Sequence, residues 1–148
     1  MNEDCGLINL YAPNEANVRK AIFEKLEEII HSKDILWIVG GDFNTVKVRE
    51  EKVGLSYDQA SMNALSDFIE NSSVVDLPIM GSKFTWSSLR ETPTCCRLDR
   101  LLISPEIFSM LSDLSLQTLP KSLSDHNPLI LCCVEFKSGP RPFKIFNH

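Results

Sequence analysis

The run Ile35-Leu36-Trp37-Ile38-Val39, closed by Gly40-Gly41, constrains this chain more than any other segment. Five large apolar residues in succession leave no polar face for solvent. Residues 34–40 therefore read as a strand buried on both faces that ends at the glycine pair. Such a strand needs cover on each side, and its neighbours supply it. Cys5–Tyr11 reads as a strand stopped at Ala12-Pro13. Residues 14–32 read as a helix, with Ile22, Phe23, Leu26, Ile29 and Ile30 at helical spacing. Ser56-x-x-Gln59 reads as a capping box that opens a second helix, whose buried stripe is Met62, Leu65, Phe68 and Ile69.

Residues 47–53 between these elements are charged and read as a surface loop. Short strand-like runs follow at 73–77, 83–87, 95–103, 114–119 and 128–136. Pro105–Met110 reads as a short helix with Ser104 as its N-cap. The order βαβα and then several strands predicts an α/β protein, with mixed sheets covered by helices. The 148 residues suit one domain, and 43% hydrophobic with 24% charged residues is enough to form a core. Residues 1–136 are assigned to that domain. Residues 137–148, with Gly139, Pro140 and Pro142, are assigned to an exit linker. In that tail Lys137, Arg141 and Lys144 alternate with Phe143 and Phe146, a pattern that also suits nucleic-acid contact.

Fifteen Lys and Arg against 20 Asp and Glu give a net charge of −5, which argues against holding nucleic acid by bulk positive charge. It leaves room for an enzyme whose carboxylates bind a metal. No apolar run reaches the roughly 20 residues of a membrane span, and Met1-Asn2-Glu3-Asp4 is acidic where a secretory leader is basic. The expectation is a nuclear or cytoplasmic protein, neither secreted nor membrane-bound. Five cysteines without C-x-x-C spacing read as reduced thiols at strand positions rather than a zinc site.

The chemistry-bearing residues cluster at strand ends. Asp42 and Asn44 follow the apolar strand, where α/β proteins commonly place ligands. Two apart in an extended segment, they would share a pocket. Asp42 can take a proton or ligate a hard cation, and Asn44 can donate to an anionic oxygen. Asp125 and His126 precede the last strand and, being adjacent, should face opposite sides. Asp125 suits a divalent cation and His126 a phosphate oxygen. Alternation puts Asp99 on the face of Leu101 and Ile103, where a carboxylate needs a partner. An imidazolium serves, and so does a salt bridge to Arg97 or Arg100. Tyr11 and Trp86 read either as amphipathic packing or as ligand contacts.

Tyr11-Ala12-Pro13, Gly41-Asp42-Phe43-Asn44, Phe84-Thr85-Trp86-Ser87, Arg97-Leu98-Asp99-Arg100 and Ser124-Asp125-His126 follow one another in an order that resembles the endonuclease/exonuclease/phosphatase superfamily. That superfamily includes DNase I, exonuclease III and the abasic-site endonucleases. Together with the exit Gly139-Pro140-Arg141-Pro142-Phe143-Lys144-Ile145-Phe146, the motifs look most like the endonuclease domain of a plant LINE-type retrotransposon. The resemblance covers residues 7–146. It implies a DNase I-like four-layer α/β sandwich of two packed mixed sheets flanked by helices. It further implies Mg²⁺-dependent (or Mn²⁺-dependent) phosphodiester hydrolysis on DNA, with a reverse transcriptase domain in cis, by a protein expected to be monomeric.

Carried over by motif, Tyr11, Asp42, Asn44, Asp99, Asp125 and His126 are the catalytic set. Asp42, Asn44 and Asp125 would face the metal, while Trp86 and Arg97 would position substrate. The family places a further asparagine and a metal-binding glutamate on strands before its Tyr-x-Pro strand. This chain opens almost at Tyr-x-Pro, and Glu3, beside that strand, is not given the role. The resemblance thus implies the C-terminal, N-terminally truncated part of the domain, with negligible nicking by the chain alone. Two alternatives stand beside it: a superfamily phosphatase on a small phosphoester, and a non-catalytic remnant that binds a partner.

Overall fold

The computed structural model of the chain describes residues 4–88, 90–111, 114–121 and 123–133. The expected linker and the end of the last strand lie outside them. Strand β1 (Cys5–Tyr11) pairs in parallel with β2 (Leu36–Asp42), and α1 (Ala16–His31) crosses between them. The first sheet has the order β1-β2-β8-β4, with β8 (Asp99–Ile103) and β4 (Val75–Asp76) antiparallel to their neighbours. A second sheet is ordered β10-β9-β5: Leu129–Cys133, Leu114–Thr118 and Ile79–Met80. A third joins β3 (Lys52–Val53), β7 (Cys95–Cys96) and β6 (Trp86–Ser87).

β2 is covered on both faces, as its sequence requires. Trp37 and Val39 point to one side, into a core shared with Phe23, Leu26 and Ile30 of α1 and with Leu65, Phe68 and Ile69 of α2 (Gln59–Asn71). Leu36 and Ile38 point to the other. There they meet Leu101 and Ile103 of β8, Leu116 and Leu129 of the second sheet, and Ile107 of α3 (Pro105–Met110). Mixed sheets with flanking helices are thus the architecture expected. All five cysteines stand on strands, also as read.

β2 does not stop at the glycines. It continues through Gly40 and Gly41 to Asp42, with Leu10 opposite Gly41 and Tyr11 opposite Asp42. Gly41 has φ +136°, and a Cβ there would sit 1.9 Å from the Leu10 carbonyl oxygen. Only glycine allows the strand to carry on to Asp42.

Three further departures have local causes. The capping side chain of α2 is Asp58, whose carboxylate accepts the Ser61 N–H at 3.2 Å, so Ser56 is not the cap. Asp58→Ala should cost about 1 kcal/mol, read by urea denaturation. Residues 47–53 are not simply a surface loop. They hold a 3₁₀ turn (Arg49–Glu51) and β3, and Glu51 is buried. Finally, residues 95–103 are two strands rather than one. The chain leaves the ladder at Arg97 and Leu98, where the Leu98 and Asp99 N–H groups turn to the Thr85 hydroxyl.

Candidate active site

The strand register builds the site. Tyr11 of β1 is opposite Asp42 of β2, and Asp42 is opposite Asp99 of β8. Three strand ends therefore deliver a phenol and two carboxylates in one row across the sheet. Phe43, fully buried, packs against Phe23 and Phe68 at ring distances of 6.1 and 6.4 Å, and its N–H donates to the Leu98 carbonyl. With Phe43 anchored inward, Asp42 and Asn44 turn outward together. Asn44 is not extended: its φ of 51° is left-handed, a conformation asparagine tolerates. Its N–H donates to Asp42 Oδ1 at 2.8 Å and its side-chain amide to the Ala12 carbonyl at 2.7 Å.

Opposite this row, Asp125 and His126 take different partners, but they do not face opposite sides: both line the same cleft. The Trp86 indole N–H donates to Asp125 Oδ2 at 2.7 Å. His126 Nδ1 lies 2.8 Å from Asp99 Oδ2 and Nε2 lies 4.0 Å from Asp42 Oδ2. A carboxylate only accepts, so Nδ1 carries the proton in the Asp99 bond. Of the two partners left open for Asp99, the structure has the imidazole. Tyr11, Asp42, Asn44, Trp86, Asp125 and His126 all line one cleft of about 410 Å³. Tyr11 is 77% exposed there, its phenol free for a ligand. A second hollow of about 420 Å³ behind His126 is lined by Leu101, Leu116, Leu129 and Leu131 and also by Asp99, Ser124 and Asn127. His126 stands between the two, with Asp99 on the hollow's side and Asp42 on the cleft's.

Arg97 is the exception. Its guanidinium is occupied by Glu51 at 3.2 Å, Asp76 at 2.8 Å and the Leu77 carbonyl at 2.9 Å, with little exposure. A substrate-positioning role does not fit that placement. Arg100 joins Arg97 on the same two acids. Sequence reasoning also missed Arg19, which lies on the buried side of α1. It donates to the Pro13 and Asn14 carbonyls and to Ser61 Oγ, holding the turn that follows Tyr11. A lone arginine among the apolar positions of α1 was the available signal.

Burial pushes the Asp42 carboxyl up from the ordinary range, and nearby Asp99 adds to this. The Asn44 N–H, His126 and Arg19 partly offset it. A carboxylate raised this way is a better base. Because the folded state holds the proton more tightly, Asp42 costs stability above the ordinary carboxylate range and not below it. Asp42→Asn should therefore stabilise the fold at pH 7 by up to about 1 kcal/mol. The gain should disappear as pH falls below that range, as thermal melts across pH would report. Asp125 is shifted the other way, held down chiefly by the Trp86 hydrogen bond.

The resemblance implies Mg²⁺ or Mn²⁺. Asp42 and Asp125 offer the oxygen donors such ions take. Among the described residues, however, no group of three His, Cys, Asp or Glu side chains converges to hold an ion. The described residues as placed do not amount to a metal centre.

A model of the endonuclease-reverse transcriptase family matches residues 6–130, most of the chain and every cleft residue. The chain belongs to that family. Solved structures similar to this endonuclease-reverse transcriptase family member include an AP endonuclease from Archaeoglobus fulgidus. It has a TM-score of 0.69 at 16% identity, over 87% of this chain and 61% of that one. A 3′-5′ exonuclease from Neisseria meningitidis has a TM-score of 0.68 at 16% identity, over 86% and 60%. The endonuclease domain of TRAS1, a telomere-specific non-LTR retrotransposon, has a TM-score of 0.59 at 16% identity, over 87% and 56%. At these identities the likeness is one of fold, and the fold is DNase I-like. The family member spans about three-fifths of the length of the first two structures. No curated protein sequence matches it.

Proposed function

We propose that this chain carries the phosphate-gripping and acid–base part of a DNA-nicking endonuclease, in a LINE-type element of a plant, joined in cis to a reverse transcriptase. One observation carries the reading: His126 stands between the Asp99 and Asp42 carboxylates, in a cleft that also exposes Tyr11 and Asn44. Family membership supports nuclease-type phosphodiester chemistry in that cleft.

The reaction is in-line attack of water on a backbone phosphate: as the new P–O bond forms, the bond to one deoxyribose oxygen breaks, and that oxygen leaves as an alcohol on taking a proton from solvent. Asp42, its basicity raised by burial, orients the water and takes its proton. Asp99 fixes the imidazole through Nδ1, which leaves Nε2 facing the cleft to donate to a phosphate oxygen when His126 is protonated. The Asn44 amide spends one of its two protons on Ala12 and keeps the other for the developing oxyanion. Tyr11 offers its phenol to the phosphate from the rim.

The test compares substrates. The chain is assayed alone and fused behind the N-terminal segment of the TRAS1 endonuclease domain, with Mg²⁺ present. Supercoiled plasmid and a phosphoinositide are offered in parallel. The proposal expects the fusion to relax the plasmid, the chain alone to do so negligibly, and neither to release phosphate from the lipid. Phosphate release with intact plasmid would instead assign a phosphatase.

A further inference from the structure

The break between β7 and β8 leaves two backbone N–H groups, those of Leu98 and Asp99, without a strand partner. Both are taken by Thr85 Oγ1 at 2.9 Å. Thr85 is completely buried. Its own N–H donates to the Cys96 carbonyl at 2.9 Å, and its carbonyl accepts the Asn127 N–H at 2.6 Å. Asn127 follows His126, and His126 Nδ1 reaches Asp99 Oδ2 at 2.8 Å.

These contacts close a ring. It runs from the Asp99 N–H to the Thr85 hydroxyl, along Thr85 to its carbonyl, across to Asn127, back one residue to His126, and through the imidazole to the Asp99 carboxylate. The neighbours of Thr85 brace the same loop: the Asn127 amide donates to the Phe84 carbonyl at 3.1 Å, and the Ser87 N–H donates to the Asp125 carbonyl at 3.1 Å.

We propose that the Thr85 hydroxyl is a positioning group for the Asp99–His126 pair. It holds the backbone of Asp99 while the Thr85 carbonyl holds the backbone beside His126, so one residue sets the distance between acid and imidazole. A hydroxyl oxygen has two lone pairs and can accept both N–H groups at once. Valine has the same shape without an acceptor and would leave both half-buried donors without the Thr85 oxygen. What the positioned pair does for a phosphodiester rests on the function proposed above. The positioning itself does not.

The experiment compares wild type, Thr85→Val and Thr85→Ser in the full 148-residue chain. By NMR, the His126 Nδ1 proton should be visible in wild type and Thr85→Ser and lost in Thr85→Val. The Leu98 and Asp99 amides should exchange at least about 10-fold faster in Thr85→Val than in the other two. In the fusion, nicking by Thr85→Val should fall up to about 100-fold in kcat with KM little changed. Thr85→Ser should retain most of it.

Persistence of the Nδ1 signal in a folded Thr85→Val overturns the proposal, as does its loss in Thr85→Ser. Should Thr85→Val not fold, wild type decides: unprotected Leu98 and Asp99 amides overturn the proposal, and protected ones support it. The NMR pattern without nicking by any form would sustain the positioning role and sink the endonuclease reading. Nicking that needs His126 but not the Thr85 hydroxyl would do the reverse.

Discussion

Replacing His126 by alanine is expected to lower phosphodiester hydrolysis by about 10²–10⁴-fold, the range for losing a positioned acid–base group. The imidazole links the strand-end carboxylate of the cleft to the one behind it, at 4.0 Å from Asp42 and 2.8 Å from Asp99. Without it the phosphate loses a donor. Asp42 and Asp99 then lose the imidazole that stands between them. Asp99→Asn should approach the same loss, because the amide no longer fixes which nitrogen carries the proton. The double variant should be little worse than either single one, since the pair acts as a unit. Kinetics of nicking by the three variants in the fusion would check this. Single-variant losses that multiply in the double would show that the two residues act separately.

The second large effect is on stability. Arg100, fully buried, shares Glu51 and Asp76 with Arg97, so two cations and two carboxylates close a four-membered network. Among the described residues Arg97 Nε and Arg100 Nε are buried without partners, so the network is not fully satisfied there. Its net contribution against an apolar alternative need not be large. Breaking it is another matter. Arg100→Met leaves two buried carboxylates with one cation and should cost about 3–5 kcal/mol. For a domain of this size that is roughly 10 °C in Tm.

The sign with pH follows from Glu51. Burial alone would raise its carboxyl, but the hydrogen bond and charge of Arg100, with help from the Lys47 N–H and Arg97, outweigh that and hold it below the ordinary range. A depressed carboxylate contributes stability above its unfolded pKa of about 4.3, lost as pH falls through the folded value. The gap between wild type and Arg100→Met should therefore be full at pH 7 and narrow in acid. A gap independent of pH in urea titrations would mean that the network contributes by packing alone.

Local signals were legible where one segment carries its own answer. The apolar run of β2 demanded cover on both faces, and Trp37 with Leu36 shows both kinds. Alternation alone put Asp99 on a buried face, where a partner had to be found, and the motif order pointed to His126. What was missed depends on residues far apart in sequence. Nothing near Glu51 says that it will meet Arg97 and Arg100, 46 and 49 residues on, so a charged stretch read as loop. The same distance hid the fate of Arg97, which looked available for substrate. The break at Arg97-Leu98 was invisible because the acceptor that permits it, Thr85, lies 13 residues upstream, just before β6. The cap of α2 failed for a shorter-range reason: two capping candidates, Ser56 and Asp58, stand two residues apart, and the stronger acceptor won.

The central claim is that one cleft, built from the ends of β1, β2 and β8 and the loop before β10, hydrolyses DNA phosphodiesters. Nicking of supercoiled plasmid by the fusion, with wild-type, Asp42→Ala and His126→Ala chains at equal concentration, tests it most directly. The account predicts open circles from the wild type and at least about 100-fold slower nicking from each variant. Nicking that persists in both variants at the wild-type rate, or a folded wild-type fusion that leaves the plasmid supercoiled, would contradict it.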